Sequence, residues 1–243
     1  MGVGIYSALS GINVLDTQLE VAAHNMANIS SPGFKQEEVS FSSVLARHGG
    51  NGSTANPSTP FVDLGKRQRD FSAGTAMSTG NAMDLSIQGP GFFEISTKQG
   101  LMYTRNGAFA TDATGTLVDA HGNPVNGAGG PLIIGSGGDI KINEGGVVTV
   151  NGEEKGKLKI VDFADRQKLQ PVGGTMFAAT GLTSSEVASP SVMQGTLESS
   201  NSNMVMNLVK LIEISRQQQA YYKVIDAQTR LDQQTASTIG RVS

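Results

Sequence analysis

The chain has no cysteine and no tryptophan, and aromatic residues make up only 5% of it. Without cysteine there is no disulfide, no thiolate metal site and no cysteine nucleophile, and the sequence tolerates either redox compartment. No stretch approaches the ~20 apolar residues needed to cross a bilayer, so membrane insertion is not expected. The opening Met1-Gly2-Val3-Gly4-Ile5-Tyr6 has neither the basic start nor the unbroken apolar run of a secretory signal. Charge is sparse as well, at 16% of residues with a formal net charge of -3. A protein that neutralises phosphates carries a basic excess, so nucleic acid is not an expected partner.

Present in quantity are glycine, with 31 residues in a chain of 243, and a hydrophobic fraction of 38%. That balance points to many turns around a thin core. The two ends differ from the middle. From about residue 3 to 29, Ile5, Ala8, Ile12, Leu15, Leu19, Ala22, Met26 and Ile29 recur at steps of three and four, with Leu9 and Val14 widening the stripe. This spacing predicts a helix with a heptad seam. Ser30-Ser31-Pro32-Gly33 stops it.

Residues 203–243 predict a second helix, opening after the capping cluster Ser199-Ser200-Asn201-Ser202. Its apolar positions include Val205, Leu208, Ile212, Tyr221, Val224, Ile225 and Leu231, interrupted by Gln217-Gln218-Gln219. At 1.5 Å per residue it spans on the order of 60 Å, too long for a compact domain of this size to cover alone. Residues 35–75 look polar and irregular. From about 76 to 190, short β-type runs such as Phe92-Phe93-Glu94-Ile95 and Val147-Val148-Thr149-Val150 alternate with turns such as Asn106-Gly107 and Asn151-Gly152. The expected fold is α+β: N- and C-terminal helices forming a coiled-coil-like terminal domain, around a central, mostly antiparallel β-domain. The expected divisions are 1–30 (helix), 31–75 (extended connection), 76–190 (β-domain), 191–202 (return linker) and 203–243 (helix).

No catalytic constellation emerges. The glycine clusters do not open a helix inside a β-α-β unit, as a dinucleotide cradle requires. His24, His48 and His121 lack metal-site spacing, the aspartates sit beside turns, and no Gly-x-Ser-x-Gly elbow occurs. The pattern therefore predicts no enzyme, no cofactor, no metal and no small-molecule substrate.

Three ordered segments carry a resemblance. Ala8-Leu9-Ser10-Gly11-Ile12, Leu19 to Asn28 with Asn25 and Asn28, and Ser31-Pro32-Gly33-Phe34-Lys35 resemble the N-terminal signature of the bacterial flagellar rod and hook protein family. His24 stands where that family usually has a first Asn, and Ser31 where it has Thr. Asp84 to Phe93 and Tyr103 to Phe109 are similar to its core segment. Ile212 to Arg216, Ala220 to Ile225, Leu231-Asp232 and Gly240-Arg241-Val242 are most similar to its proximal-rod members and less to its distal-rod members. The resemblance spans nearly the whole chain.

It implies a structural subunit of the basal-body rod, exported through the flagellar type III apparatus without a cleaved signal and assembled in the periplasmic space. Terminal helices would form the inner tube of a hollow, torque-transmitting shaft, with other copies and other rod proteins as partners. The implied assembly residues are Ile5, Leu9, Ile12, Leu15, Leu19, Ala22, Met26, Ile29, Val205, Leu208, Ile212, Tyr221, Val224, Ile225 and Leu231. The motif residues are Ser10, Gly11, Asn25, Asn28, Gly33, Phe34 and Lys35. A distal-rod, hook or phage-tail-like tube subunit shares this logic. A surface adhesin or carbohydrate-binding β-protein is the rival of another class, disfavoured by the lack of Trp and the presence of only 4 Tyr.

Overall fold

A computed structural model describes residues 3–45, 60–135 and 137–239. The loop signals at 49–53 and 56–59, together with Gly240 and Val242, lie outside the described residues, as does the side chain of Ile5. The chain is α+β: a helix at each end and a central, mostly antiparallel β region. It forms two compact units. One comprises Met1–Ala27, Glu37–Gln68 and Asn203–Ser243; the other comprises Asn28–Gln36 and Arg69–Ser202.

The helical unit is built from α1 (Val3–Ala27), β1 (Glu37–Leu45), β2 (Pro60–Arg69) and α2 (Met204–Ile239). β1 and β2 pair as a two-stranded ribbon within the stretch that reads as irregular in sequence. Its polar composition hides strands because a two-stranded ribbon need bury only one face, and partly. At 36 residues α2 is about 54 Å long. Its cap is Asn203, one residue past the cluster predicted to start it: Met206 N–H donates to Asn203 Oδ1 at 3.1 Å.

The β unit holds β3 (Ala76–Ser78), β4 (Leu85–Gln88), β5 (Phe92–Thr97), β6 (Gly100–Thr104), β7 (Ala110–Thr111), β8 (Leu117–Val118), β9 (Asn126–Gly127) and β10 (Gly130–Pro131). It continues with β11 (Ile140–Ile142), β12 (Val147–Val150), β13 (Glu153–Lys157), β14 (Ile160–Phe163), β15 (Gln170–Gly173), β16 (Met176–Ala178), β17 (Ser184–Glu186), β18 (Ser191–Gln194) and β19 (Thr196–Glu198). The largest sheet has the order β15-β16-β6-β5-β14-β17, with every neighbour antiparallel. Strand alternation divides its side chains between two cores. Phe93, Ile95 and Ile160 join Leu85, Val125 and Leu158 in one. Phe92, Val161 and Phe163 join Tyr103, Leu169 and Phe177 in the other. Edge-to-face rings, such as Tyr103 on Phe163 at 4.8 Å, make up for the low aromatic content.

Candidate assembly interface

In the helical unit, α1 and α2 run antiparallel. Leu15, Ala22 and Ile214 form the buried centre of their seam, with Leu19 and Leu211 packed against it. Ala8 and Ile12 are buried too, and Met26 is half-buried. Along α2, Asn207 and Ile214 are buried and Leu211, Gln218, Ile225 and Gln228 half-buried on one face; Tyr221, 37% exposed, falls on the same face, and the row steps by four and three. Tyr221 keeps its outer edge in water. The amides therefore lie in the seam: Gln218 Nε2 donates to Asp16 Oδ1 at 2.6 Å. The bond lies on the exposed rim of the seam, where Asp16 is open to water.

Gly11 has a geometric task in this seam. A Cβ on it would lie 2.9 Å from Tyr221 Cε1, so the missing side chain makes the notch that admits the ring. Asn25, also buried, grips the start of β1 like a strand edge. Its Nδ2 donates to Glu37 O at 2.7 Å, and its Oδ1 accepts from Glu37 N at 2.8 Å. Ser10, half-buried on α1, belongs to the same helix.

The remaining named residues of α2 do not face α1. Val205 is 68% exposed and Ile212 is 52% exposed; Leu208, Val224 and Leu231 are exposed as well, as is Leu9 on α1. Sequence inspection passed over Met204, Met206 and Val209, which are exposed beside Val205, Leu208 and Ile212. The first turns of α2 thus carry a dense, uncovered apolar stripe. The signal for it was available: seven apolar residues within nine positions exceed what one seam absorbs.

The rest of the N-terminal motif belongs to the β unit. Ile29 is half-buried there. Asn28 and Ser31 close a turn, with Ser31 Oγ donating to Asn28 Oδ1 at 3.2 Å. Gly33 sits at φ +68°, and a Cβ on it would lie 2.3 Å from the Arg105 carbonyl carbon, so no other residue fits. Phe34 is fully buried. Lys35, 1% exposed, donates through Nζ to Glu198 Oε1 at 2.5 Å and to Ser72 O at 2.6 Å. Arg105 approaches the other carboxylate oxygen, Nη1 to Glu198 Oε2, at 3.3 Å. Burial pushes both the Lys35 and Arg105 pKa values down, against the pull of Glu198. Sequence reading missed Glu198 because its partner lies 163 residues away.

Among the described residues, no three His, Asp or Glu side chains gather as a metal site, and no helix is long and apolar enough to cross a membrane. On the β unit, an open groove of about 470 Å³ is lined by Thr97, Met102, Thr104, His121 and Met176, among others. Its Asp119 is engaged in holding its own turn, accepting from the His121 and Asn123 backbone N–H groups at 2.8 Å each.

Comparison with known proteins places these features in a family. Residues 86–158 match the flagellar hook protein FlgE/F/G D1 domain, and residues 193–238 match the flagellar basal body rod FlgEFG protein C-terminal domain. A basal-body rod protein FlgF of Caulobacter vibrioides is 30% identical, covering 100% of both chains. A FlgF of Rhizobium meliloti is 34% identical over 89% of each. A FlgG of Bacillus subtilis is 30% identical over 91% of this chain and 93% of its own. With full-length likeness added to the paired terminal helices and the β unit, the chain belongs to the flagellar basal-body rod protein family.

Proposed function

We propose that the chain is a structural subunit of the proximal rod, polymerising through its terminal helices into a hollow helical shaft that carries torque from motor to hook. The observation that carries this reading is the uncovered stripe Met204, Val205, Met206, Leu208, Val209 and Ile212 on a helix whose opposite face is already occupied by α1. Covering a fully exposed side chain of this type contributes about 1.5–3 kcal/mol. These are already half-covered, so roughly 1 kcal/mol each remains. Six such gains compare with an association cost of about 4–15 kcal/mol. One pairwise contact is therefore weak, and a subunit held by several neighbours is stable. Contacts that do not close a ring then propagate as a helix.

In this reading residues 1–30 and 203–243 make a coiled-coil-like terminal domain lining the tube, joined through 31–75 and 191–202 to an outward β-domain at 76–190. The partners are further copies and other rod proteins. The chain reaches them through the flagellar export apparatus. End-to-end alignment with a FlgF relative supports the proximal position over the distal one. Deleting the gene and imaging basal bodies by electron microscopy tests the assignment. Rods should stop short of completion, and intact rods on motile cells would overturn it.

A further inference from the structure

The chain passes between its two units four times, after residues 27, 36, 68 and 202. Any force reaching the β unit along the backbone arrives through the segments beside those points. Inside the β unit three of the four segments are tied together. Gly33 N–H donates to Glu198 O at 2.7 Å, and Gln36 N–H donates to Asn201 Oδ1 at 2.7 Å. Asp70 N–H donates to Gln36 O at 3.0 Å, and Asn201 Nδ2 donates to Asp70 O at 2.8 Å. Behind this belt lies Glu198, 3% exposed. It accepts from Lys35 and Arg105, and from Gly74 N–H at 2.9 Å. Arg105 extends the tie inward, donating to Ile87 O at 3.1 Å and Gly89 O at 2.6 Å.

We propose that this network is a mechanical clasp that keeps the β unit closed when force enters through the segments joining it to the helical unit. Pulling residues 33–36 away from 198–201 loads these bonds together and in shear, so none breaks alone. The bonds of Glu198 to Lys35 and Arg105 are buried and those joining Gln36, Asp70 and Asn201 half-buried, so water reaches a stretched bond there less readily than at the open surface. Glu198 is the node. It is the carboxylate bonded to both buried cations, and its loss leaves Lys35 and Arg105 repelling each other across the segments they should join. The inference goes beyond assembly: it states what lets the β unit stay folded under tension, whatever surface the helices use.

The absence of cysteine allows two introduced thiols to serve as unique handles. The full-length chain carrying Ser30→Cys and Met204→Cys is pulled in optical tweezers through the clasp. A second version, with Lys98→Cys in the β5–β6 turn and Glu153→Cys in β13, is pulled through exposed positions of the β unit instead. Glu198→Gln should speed unfolding at fixed force about tenfold or more through the first pair, since charged hydrogen bonds are the ones removed. Through the second pair the change should be under about threefold, because the clasp is then not loaded first. Equal acceleration through both pairs, or none through the first, would overturn the clasp. Should Glu198→Gln not fold, Asn201→Ala removes two of the belt's bonds without stranding a charge and is read by the same two outcomes.

Discussion

Charge arithmetic governs the most informative residues. Removing Lys35 leaves Glu198 and Arg105, a neutral buried pair; removing Glu198 strands two buried cations. Breaking a buried ion pair costs about 3–5 kcal/mol when the remaining charge is uncompensated. Glu198→Gln should therefore cost about that much, and Lys35→Met distinctly less, in urea unfolding of the β unit. Equal costs would show that the carboxylate does not centre the network. A second residue contributes to the acid response, alongside the likewise depressed Asp70, Asp112 and Glu153. Arg166 donates to both oxygens of Asp162, at 2.8 and 2.7 Å, and holds its carboxyl below the usual value. A depressed carboxyl stabilises the fold above its ordinary value of about 3.8, and that stability is lost as pH falls through the folded value. Asp162→Asn should flatten this part of the acid limb in a pH series of thermal melts, leaving neutral-to-alkaline slopes unchanged. Neither Glu198 nor its links could be seen in sequence, where a lone Glu in a stretch read as a return linker passes for a surface charge.

At the scale of elements, the helices and the β layout were legible because periodicity is a local property. Steps of three and four marked α1, and Asn151-Gly152 marked the β12–β13 hairpin, whereas Asn106-Gly107 joins β6 to β7, which do not pair. The side of α2 that meets α1 was not legible. Hydrophobicity alone points to Val205, Leu208, Ile212, Val224 and Leu231, whereas the covered row includes Asn207, Gln218 and Gln228. A seam that accepts amides is decided by what α1 offers opposite them, such as Asp16. The β1–β2 ribbon was hidden for a related reason, since its pairing depends on a partner strand rather than on its own composition. Gly11 gives the element-scale test. Gly11→Leu fills the notch occupied by Tyr221, and overpacking of this kind costs about 1–3 kcal/mol. Hydrogen exchange should then quicken in α1 and α2 while the β unit keeps its protection; unchanged exchange in both helices would mean the ring does not set the seam.

For the whole molecule, the two units divide the work. The β unit has two apolar cores and a closed ionic network, so its stability is internal. Among the described residues the helical unit has a thin seam and leaves an apolar stripe uncovered, which in the proposed reading neighbouring subunits cover. That asymmetry suits a rod protein whose ends assemble and whose middle stays folded. The most direct measurement introduces Val205→Glu together with Ile212→Glu into cells lacking the native gene and images their basal bodies by electron microscopy. Both side chains are exposed, so the purified variant should match the parent in circular dichroism and melting. The expected result is a well-folded chain with no complete rods and no swimming; complete rods built from that variant would contradict the account.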